Sequence, residues 1–306
     1  MATSDSAVSL PRPQAGGHPQ HLTVTLLGDF WKGHPVFLPT GALVDMLSLL
    51  GVSEPSARSA LSRLSGRGVL VTKRDGRGTL YRLADDVDRL GARGVHRIFA
   101  AARGDALQDW DGMWTVVAFS LPSGLRAERS ALRSSLRALG FAPLQDGVWI
   151  SPGAFSPAVA DALRGAPEGT VSAFRAKLEF PDSLASRRAE PATALEELGE
   201  RYRQFVEVFS PLLDKLEAGA LTPAEAFVGR VTLMDTWRAL YHADPQLPAE
   251  LLPDDWARPA AGALLIAAYD RLGPLAEEHC RTLLEPFGLA DEDRPRHYVS
   301  SDVLTA

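Results

Sequence analysis

Hydrophobic side chains recur at helical spacing in three short segments near the N-terminus. Their spacing predicts helices over residues 21–31, 41–50 and 54–65. Ser53 stands where the third helix needs an N-cap, and Pro55 suits its first turn because the amide that proline lacks has no helical partner there. We therefore expect three helices to form the first part of the fold.

The two faces of the third predicted helix differ in chemistry. At about 100° per residue, one face is small and apolar and consists of Ala57, Ala60, Leu61 and Leu64. The other face is small and basic and consists of Arg58, Ser59, Ser62 and Arg63. Small serines let a helix approach a DNA groove closely, and arginines hydrogen-bond guanine edges or phosphates. A solvated surface helix would show the same pattern, so this helix alone leaves both interpretations open.

Two β-prone segments follow, over residues 69–73 and 79–83. They flank the sequence RDGRG, in which the glycines favour a tight turn, so a hairpin with a basic tip is predicted. Helix, short strand, helix, helix and hairpin is the order of a winged helix-turn-helix, whose third helix enters the major groove while the wing lies along the DNA backbone or minor groove. A winged module can also bind protein, and that alternative stays open.

Strand-like and helical segments alternate through the middle of the chain. After a connecting helix, the order is strand, helix, strand, strand, helix, strand, which is the ferredoxin-like order. The first of these helices carries one stripe of arginines, Arg126, Arg129, Arg133 and Arg137. The stripe suits phosphates of DNA or of a nucleotide-bearing ligand; the alternative is a solvated face or an ion-paired contact with the acidic C-terminal part.

The last third of the chain is predicted to be helical, and the sequence from Thr222 to Glu225 reads as a capping box. Trp237, Arg238 and Tyr241 share one predicted helix, where they would suit a ligand with a ring and an anionic group. Core packing with a surface arginine is the alternative.

These segments predict a multidomain α+β fold. Its parts are a disordered tail over 1–20, a winged helix-turn-helix DNA-binding domain over 21–84, a connecting helix over 85–105, a ferredoxin-like middle domain over 106–190 and an all-helical C-terminal domain over 191–306.

Composition agrees with a multidomain globular protein. With 306 residues, 45% hydrophobic and 23% charged, the chain is long enough for two or three packed units and unlike a disordered or fibrous protein. No apolar run is long enough to span a membrane, and the N-terminus lacks a basic region followed by an apolar block, so we expect a cytoplasmic protein that binds no membrane. The single cysteine, Cys280, excludes an internal disulfide and is expected to pack.

Charge is distributed unevenly along the chain. The net charge is −6, yet residues 53–83 hold seven basic and two acidic side chains, whereas residues from 191 onward hold ten basic and twenty acidic ones. A basic module within an otherwise acidic protein favours a polyanionic partner for that module. The predicted DNA-contacting residues are Ser56, Arg58, Ser59, Ser62, Arg63, Arg67, Lys73, Arg74 and Arg77.

We expect these side chains to contact different parts of the DNA. Ser59, Ser62 and Arg63 are expected nearest the base edges. Arg58 and Arg67 are assigned to phosphates, and Arg74 and Arg77 to the wing. No phosphate-binding loop, nucleophile elbow, paired histidines at metal spacing or cysteine cluster occurs, so neither an enzyme nor a cofactor or metal is expected.

Several short motifs, taken in their order along the chain, carry a resemblance to a known family. They are LLGDF at 26–30, ARSALSRL at 57–64, GVL at 68–70, YRL at 81–83, WDGMW at 110–114, GF at 140–141, GVWISP at 147–152, DP at 244–245, LLP at 251–253 and Trp256. In these motifs the sequence resembles the PaaX family of bacterial transcriptional repressors, from about residue 21 to the 280s.

The resemblance implies a homodimeric winged-helix repressor of aromatic catabolism. Such a repressor binds an inverted-repeat operator in double-stranded DNA and is released by an aryl-acyl-CoA such as phenylacetyl-CoA. The middle domain looks like the small CRISPR-associated endoribonuclease fold, in which an acidic residue ends the first strand; here Ser120, Leu121 and Pro122 stand at that place. A hydrolase or nuclease that uses the middle domain is the rival interpretation.

Overall fold

The computed structural model describes residues 18–34, 36–76, 78–104, 110–177, 189–244, 246–289 and 291–304. These residues form two compact units. The first unit draws on Met1–Arg103, Arg201–His242 and Ala257–Ala306, and the second on Gly104–Glu200 and Ala243–Trp256. Nearly all of the predicted tail lies outside the described residues. Among the helices that are described, none is long and apolar enough to cross a membrane.

The N-terminal part of the first unit follows the predicted order of elements. It contains α1 (Pro19–Phe30), β1 (Leu38–Pro39), α2 (Thr40–Leu49), α3 (Glu54–Gly66), β2 (Leu70–Asp75), β3 (Gly78–Leu83) and α4 (Asp85–Arg103). The strands form an antiparallel sheet in the order β1-β3-β2, with Leu70 opposite Leu83 and Asp75 opposite Gly78. The three predicted helices and the hairpin are confirmed, with ends shifted by one or two residues.

The predicted apolar face of α3 forms part of the core. Leu61 and Leu64 are fully buried, as are Met46 and Leu47 of α2 and Leu26 of α1. An amphipathic helix is oriented by this burial, because rotating α3 would expose leucine side chains to water. The orientation of α3 therefore follows from its own sequence.

The described C-terminal part contains three long α-helices and one short α-helix, with short 3-10 helices between them. The α-helices are α7 (Ala189–Glu217), α8 (Pro223–Ala243), α9 (Arg258–Leu284) and α10 (Ser300–Leu304). The capping box at the start of α8 is confirmed: the Thr222 hydroxyl accepts from the Glu225 amide at 3.2 Å, and the Glu225 carboxylate accepts from the Thr222 amide at 2.9 Å. The hydrogen bonds that the Glu225 carboxylate accepts from the Thr222 amide, from Lys215 and from the Thr222 hydroxyl lower its pKa to about 2.

Two close contacts tie the long helix α9 to earlier elements of the first unit. A Cβ atom added at Gly262 would lie 2.2 Å from the carbonyl oxygen of Ala102, so α9 and the C-terminal end of α4 meet backbone to backbone. Cys280 is fully buried, with its Sγ atom 3.7 Å from Sδ of Met46, and this burial raises the pKa of the thiol. The expectation that Cys280 packs is confirmed.

The second unit is built around a four-stranded antiparallel sheet. Its elements are β4 (Trp114–Phe119), α5 (Arg126–Ala138), β5 (Ala142–Gln145), β6 (Val148–Ser151), α6 (Pro157–Arg164) and β7 (Val171–Ala176). The strand order is β5-β6-β4-β7. One buried cluster joins Val117 and Trp149 of the sheet to Leu136 of α5 and Val159 of α6. The predicted order of strands and helices is confirmed in this unit.

The turn between β5 and β6 requires a glycine. Gly147 has φ +77°, and a Cβ atom there would lie 2.5 Å from the carbonyl oxygen of Phe119. The Gly147 carbonyl accepts a hydrogen bond from the Phe119 amide at 2.7 Å. This hairpin therefore lies close against the end of β4.

Candidate nucleic-acid interface

The basic face of α3 is exposed along its length. Ser59, Ser62 and Arg63 are exposed, whereas the leucines on the opposite side of the helix are buried. Ser56 and Arg58 are exposed as well. The structure therefore places all five predicted α3 residues on one accessible side of the molecule.

The cations on this helix differ in the contacts they make. Within the described part of the chain, Arg63 makes neither an ion pair nor a hydrogen bond through its side chain, and it points to solvent. Arg58 pairs with Glu54 at 2.8 Å, and both side chains are exposed. An exposed pair of this kind contributes at most about 1 kcal/mol, so Arg58 can exchange its carboxylate for a phosphate. The i, i+4 spacing of Glu54 and Arg58 is the signal in the sequence for this ion pair.

Arg67 lies just after α3 and is oriented by α1. Its Nη1 atom donates to Oε1 of Gln20 at 3.2 Å, and the residue is exposed. Gln20 itself is buried, so this contact holds the guanidinium at the end of α3 beside the start of α1.

The hairpin carries the remaining predicted cations. Lys73 and Arg74 are exposed on β2, opposite Leu80 and Thr79 of β3. The Lys73 Nζ atom lies 5.9 Å from the centre of the Phe37 ring, a cation–π distance. Arg77 at the tip lies outside the described residues. The described wing cations thus stand in solvent next to the strand that pairs with β1.

The arginine stripe on α5 is confirmed as one surface but most of its members have partners inside their own unit. Together with Ser130, the four arginines line a shallow depression of about 260 Å³. Arg133 pairs with Asp146, Arg129 donates to the Leu121 carbonyl, and the Arg137 guanidinium lies 5.2 Å from the centre of the Trp149 ring. The acidic partner is Asp146 of the same unit, whereas the alternative in the sequence had placed such an ion pair with the acidic C-terminal part.

The three predicted ligand residues on α8 are separated by the fold. Trp237 is 1% exposed and packs against Tyr202 and Phe205, with ring centres 5.6 and 5.3 Å away, as the core-packing alternative expects. Arg238 and Tyr241 instead line a cavity between α1, α4 and α8. Arg238 is oriented there by Thr25, whose hydroxyl accepts from Nη1 at 3.1 Å.

A buried polar cluster connects α1 to the C-terminal helices of the first unit. The Tyr269 hydroxyl donates to Oδ1 of Asp29 at 3.2 Å, and Asp29 Oδ2 has no hydrogen-bond partner among the described residues. Burial raises the pKa of Asp29 to about 6, against the opposing effect of the cations Arg230 and Arg238.

Arg230 is the cation at the centre of this cluster. It is fully buried, its guanidinium lies 3.6 Å from the centre of the Tyr269 ring, and it donates to the carbonyls of Tyr269 and Tyr298. This cluster could not be predicted from the sequence, because nothing local marks a buried arginine on α8 as the neighbour of an aspartate on α1.

Among the described residues, no group of three or more histidine, cysteine, aspartate or glutamate side chains is arranged to hold a metal ion.

Comparison with known proteins accounts for most of the chain. Residues 18–87 match the family described as PaaX-like protein, residues 107–188 the PaaX protein central Cas2-like domain, and residues 194–282 the PaaX-like protein C-terminal domain. The chain is 34% identical to the transcriptional repressor PaaX of Escherichia coli (strain K12) over 254 residues, which cover 80% of this chain and 77% of that protein.

A solved structure is also similar: the uncharacterized protein Rv0674 from Mycobacterium tuberculosis, at 26% identity and a TM-score of 0.47, over 87% of this chain and 96% of that one. The three family matches follow one another in the order of the motifs quoted above. Together with the identity to the Escherichia coli repressor, they show that this chain belongs to the PaaX family of transcriptional repressors.

Proposed function

We propose that this repressor binds its operator through a winged helix-turn-helix formed by residues 21–84. In this arrangement α3 enters the major groove, Arg63 and the serines beside it lie nearest the base edges, and the hairpin follows the DNA backbone. The single observation that carries the proposal is the exposed basic face of α3 opposite a fully buried apolar face.

The second unit supports a ferredoxin-like interpretation of the middle domain. Its strand order β5-β6-β4-β7, all antiparallel, places the first and third strands of the motif side by side in the centre of the sheet. That arrangement, with α5 and α6 packed against the sheet, is the one expected of the βαββαβ order. The similarity to a repressor supports a non-enzymatic role for the whole chain.

Three further parts of the proposal rest on the family resemblance. We infer a homodimer that places two α3 helices in successive major grooves of an inverted-repeat operator. We infer release by an acyl-CoA effector, with phenylacetyl-CoA as the first candidate, and a role in aromatic catabolism. A repressor acts where the chromosome is, so the cytoplasm is the proposed location.

Binding to DNA fragments from the protein's own promoter region tests the proposal. Fluorescence anisotropy would measure affinity for this DNA and for a shuffled sequence, and footprinting would locate the site. Arg63→Ala is expected to weaken specific binding by about 1 to 3 kcal/mol with little effect on the shuffled DNA, because a base contact discriminates between sequences. Arg271→Ala, an exposed and ion-paired arginine on α9, is the matched control and should leave both affinities unchanged.

The wing is tested by the dependence of affinity on salt. For the unmodified protein we expect a loss on the order of a thousandfold between about 50 and about 200 mM salt, because phosphate contacts release counterions. Lys73→Gln combined with Arg74→Gln should reduce the slope of log affinity against log salt by about 0.9 for each phosphate that the variant no longer neutralises.

Four results would contradict the proposal. The first is a flat response to salt, and the second is an equal loss on both DNAs for Arg63→Ala. The absence of any footprint would favour the protein-binding alternative for the winged module, and turnover of RNA, DNA or acyl-CoA thioesters would favour the hydrolase or nuclease alternative.

A further inference from the structure

A cavity of about 340 Å³ lies within the first unit, between α1, α4 and α8. Its volume falls in the range of small-molecule binding sites. Most of its wall is apolar and comes from Val24, Val87, Leu90, Val95 and Ile98. Such a wall would hold an aliphatic or aromatic group out of water.

Three glycines keep this cavity open. Gly28 on α1 and Gly91 and Gly94 on α4 all line it, and at each of them an added Cβ atom would meet no described atom within 4 Å. Glycine is a poor residue for the interior of a helix. Because neither crowding nor a left-handed backbone requires glycine at these positions, the missing side chains serve to leave space.

Cations gather at the same cavity. Arg97, Arg238 and Lys32 line it, together with His21 and His242. Burial lowers the pKa of His242, and the positive charges of Arg238 and Arg97 lower it further.

Carboxylates also lie near these cations, and the negative charges of Asp88 and Asp302 act on Lys32. Asp88 is the acidic residue in the described lining, and it already accepts from the Gly33 amide at 2.8 Å. Asp235 accepts from the Thr25 hydroxyl at 3.2 Å and lies 3.7 Å from His21, and Asp29 accepts from Tyr269. Arg97 is exposed at the mouth, and no described carboxylate forms an ion pair with it.

We propose that this cavity binds an amphipathic small-molecule anion whose apolar group lies against α1 and α4. Its anionic group, either a free carboxylate or the phosphates of a coenzyme A thioester, lies at Arg97 and Arg238. Leu83, the last residue of the wing strand β3, also lines the cavity. An occupant therefore touches the base of the wing, so this site is where an effector would change DNA binding; that regulatory role rests on the function proposed above.

The first measurement uses the full chain and 8-anilinonaphthalene-1-sulfonate, an aromatic anion that fluoresces in apolar sites. We expect saturable binding, and we expect displacement of the dye by phenylacetate, by phenylacetyl-CoA or by both. The two competitors distinguish a free carboxylate from its thioester as the favoured form. Failure of the dye to saturate, or failure of both competitors to displace it, would overturn the proposal.

Matched variants on α4 locate the site. Arg97→Gln should weaken binding of the displacing ligand at least about fivefold, since it removes a cation from the cavity, whereas Arg103→Gln on the same helix should change it less than about twofold. Gly94→Leu should reduce binding at least about tenfold by filling the space, whereas His96→Leu, exposed on the same helix, should not. Equal effects within either pair would place the ligand elsewhere.

DNA binding without ligand, measured on the same samples, separates the two proposals. If the α4 variants change ligand affinity as expected but the protein binds no DNA, the proposed site is supported and the proposed function is refuted. If the protein binds its operator but substitutions at Arg97 and Gly94 leave its ligand affinity unchanged, the proposed function is supported and the proposed site is refuted.

Discussion

Replacing Asp29 with asparagine should change how stability depends on pH. In the folded chain the pKa of this carboxyl is about 6, compared with 3.8 for an unperturbed aspartate, because burial disfavours its charged form. Between these two values the folded protein holds a proton at Asp29 that the unfolded chain has released. The free energy of unfolding therefore falls as pH rises through this window.

The size of the effect follows from the difference between the two pKa values. That difference corresponds to about 3 kcal/mol, all of it developed between about pH 4 and about pH 7. Asparagine has nearly the same shape and no charge, so Asp29→Asn removes this contribution. The variant should gain about 3 kcal/mol relative to the unmodified protein over that range, whatever its stability at the acidic end.

Urea unfolding at a series of pH values, followed by far-ultraviolet circular dichroism, measures this difference. Only the change of the difference with pH tests the reasoning, because the asparagine Oδ1 can still accept from Tyr269 and a difference in the strength of that hydrogen bond gives a constant offset. Asp302→Asn, at an exposed residue of α10, controls for removal of a carboxylate elsewhere in the same unit. If the curves for Asp29→Asn and the unmodified protein run parallel, Asp29 does not carry the raised pKa.

Two further predictions concern packing and backbone. Leu61→Ala should lower the free energy of unfolding by about 2 to 5 kcal/mol because Leu61 is fully buried, whereas Ser59→Ala, exposed on the same helix, should change it by less than about 0.5 kcal/mol in urea unfolding. Gly147→Ala should cost about 1 to 3 kcal/mol, because Gly147 has a left-handed backbone and lies against Phe119. Gly165→Ala, at an open position with αR backbone, should not lower the melting temperature; a loss equal to that of Gly147→Ala would refute the argument.

The orientation of α3 was predictable because it depends on local information. The spacing of its apolar residues specifies which side faces the core, and no knowledge of the partner helices is needed. The hairpin was predictable for a similar reason, since the glycines of its turn restrict how the two strands meet. Helix ends were less well predicted; α1 begins at Pro19 because proline is favoured in a first turn.

The arrangements that the sequence did not predict depend on residues far apart in the chain. The contact between Asp29 and Tyr269 spans 240 positions. The cavity draws its walls from α1, α4 and α8, so the open space at Gly91 and Gly94 is visible only when these helices are brought together. The predicted domain boundary between residues 190 and 191 divides the chain into consecutive segments. The compact units instead place α8 and α9 almost wholly with the N-terminal elements.

The backbone contact between Gly262 and Ala102 fixes the spacing between α9 and the C-terminal end of α4. A side chain at position 262 would have to move one helix away from the other, because these two backbones already touch. The N-terminal end of α4 follows the wing strand after Ala84 and is also tied to it by the ion pair between Arg82 and Asp85. A larger residue at position 262 would therefore shift a helix whose first residue is paired with the wing, although position 262 is far from the hairpin in the sequence.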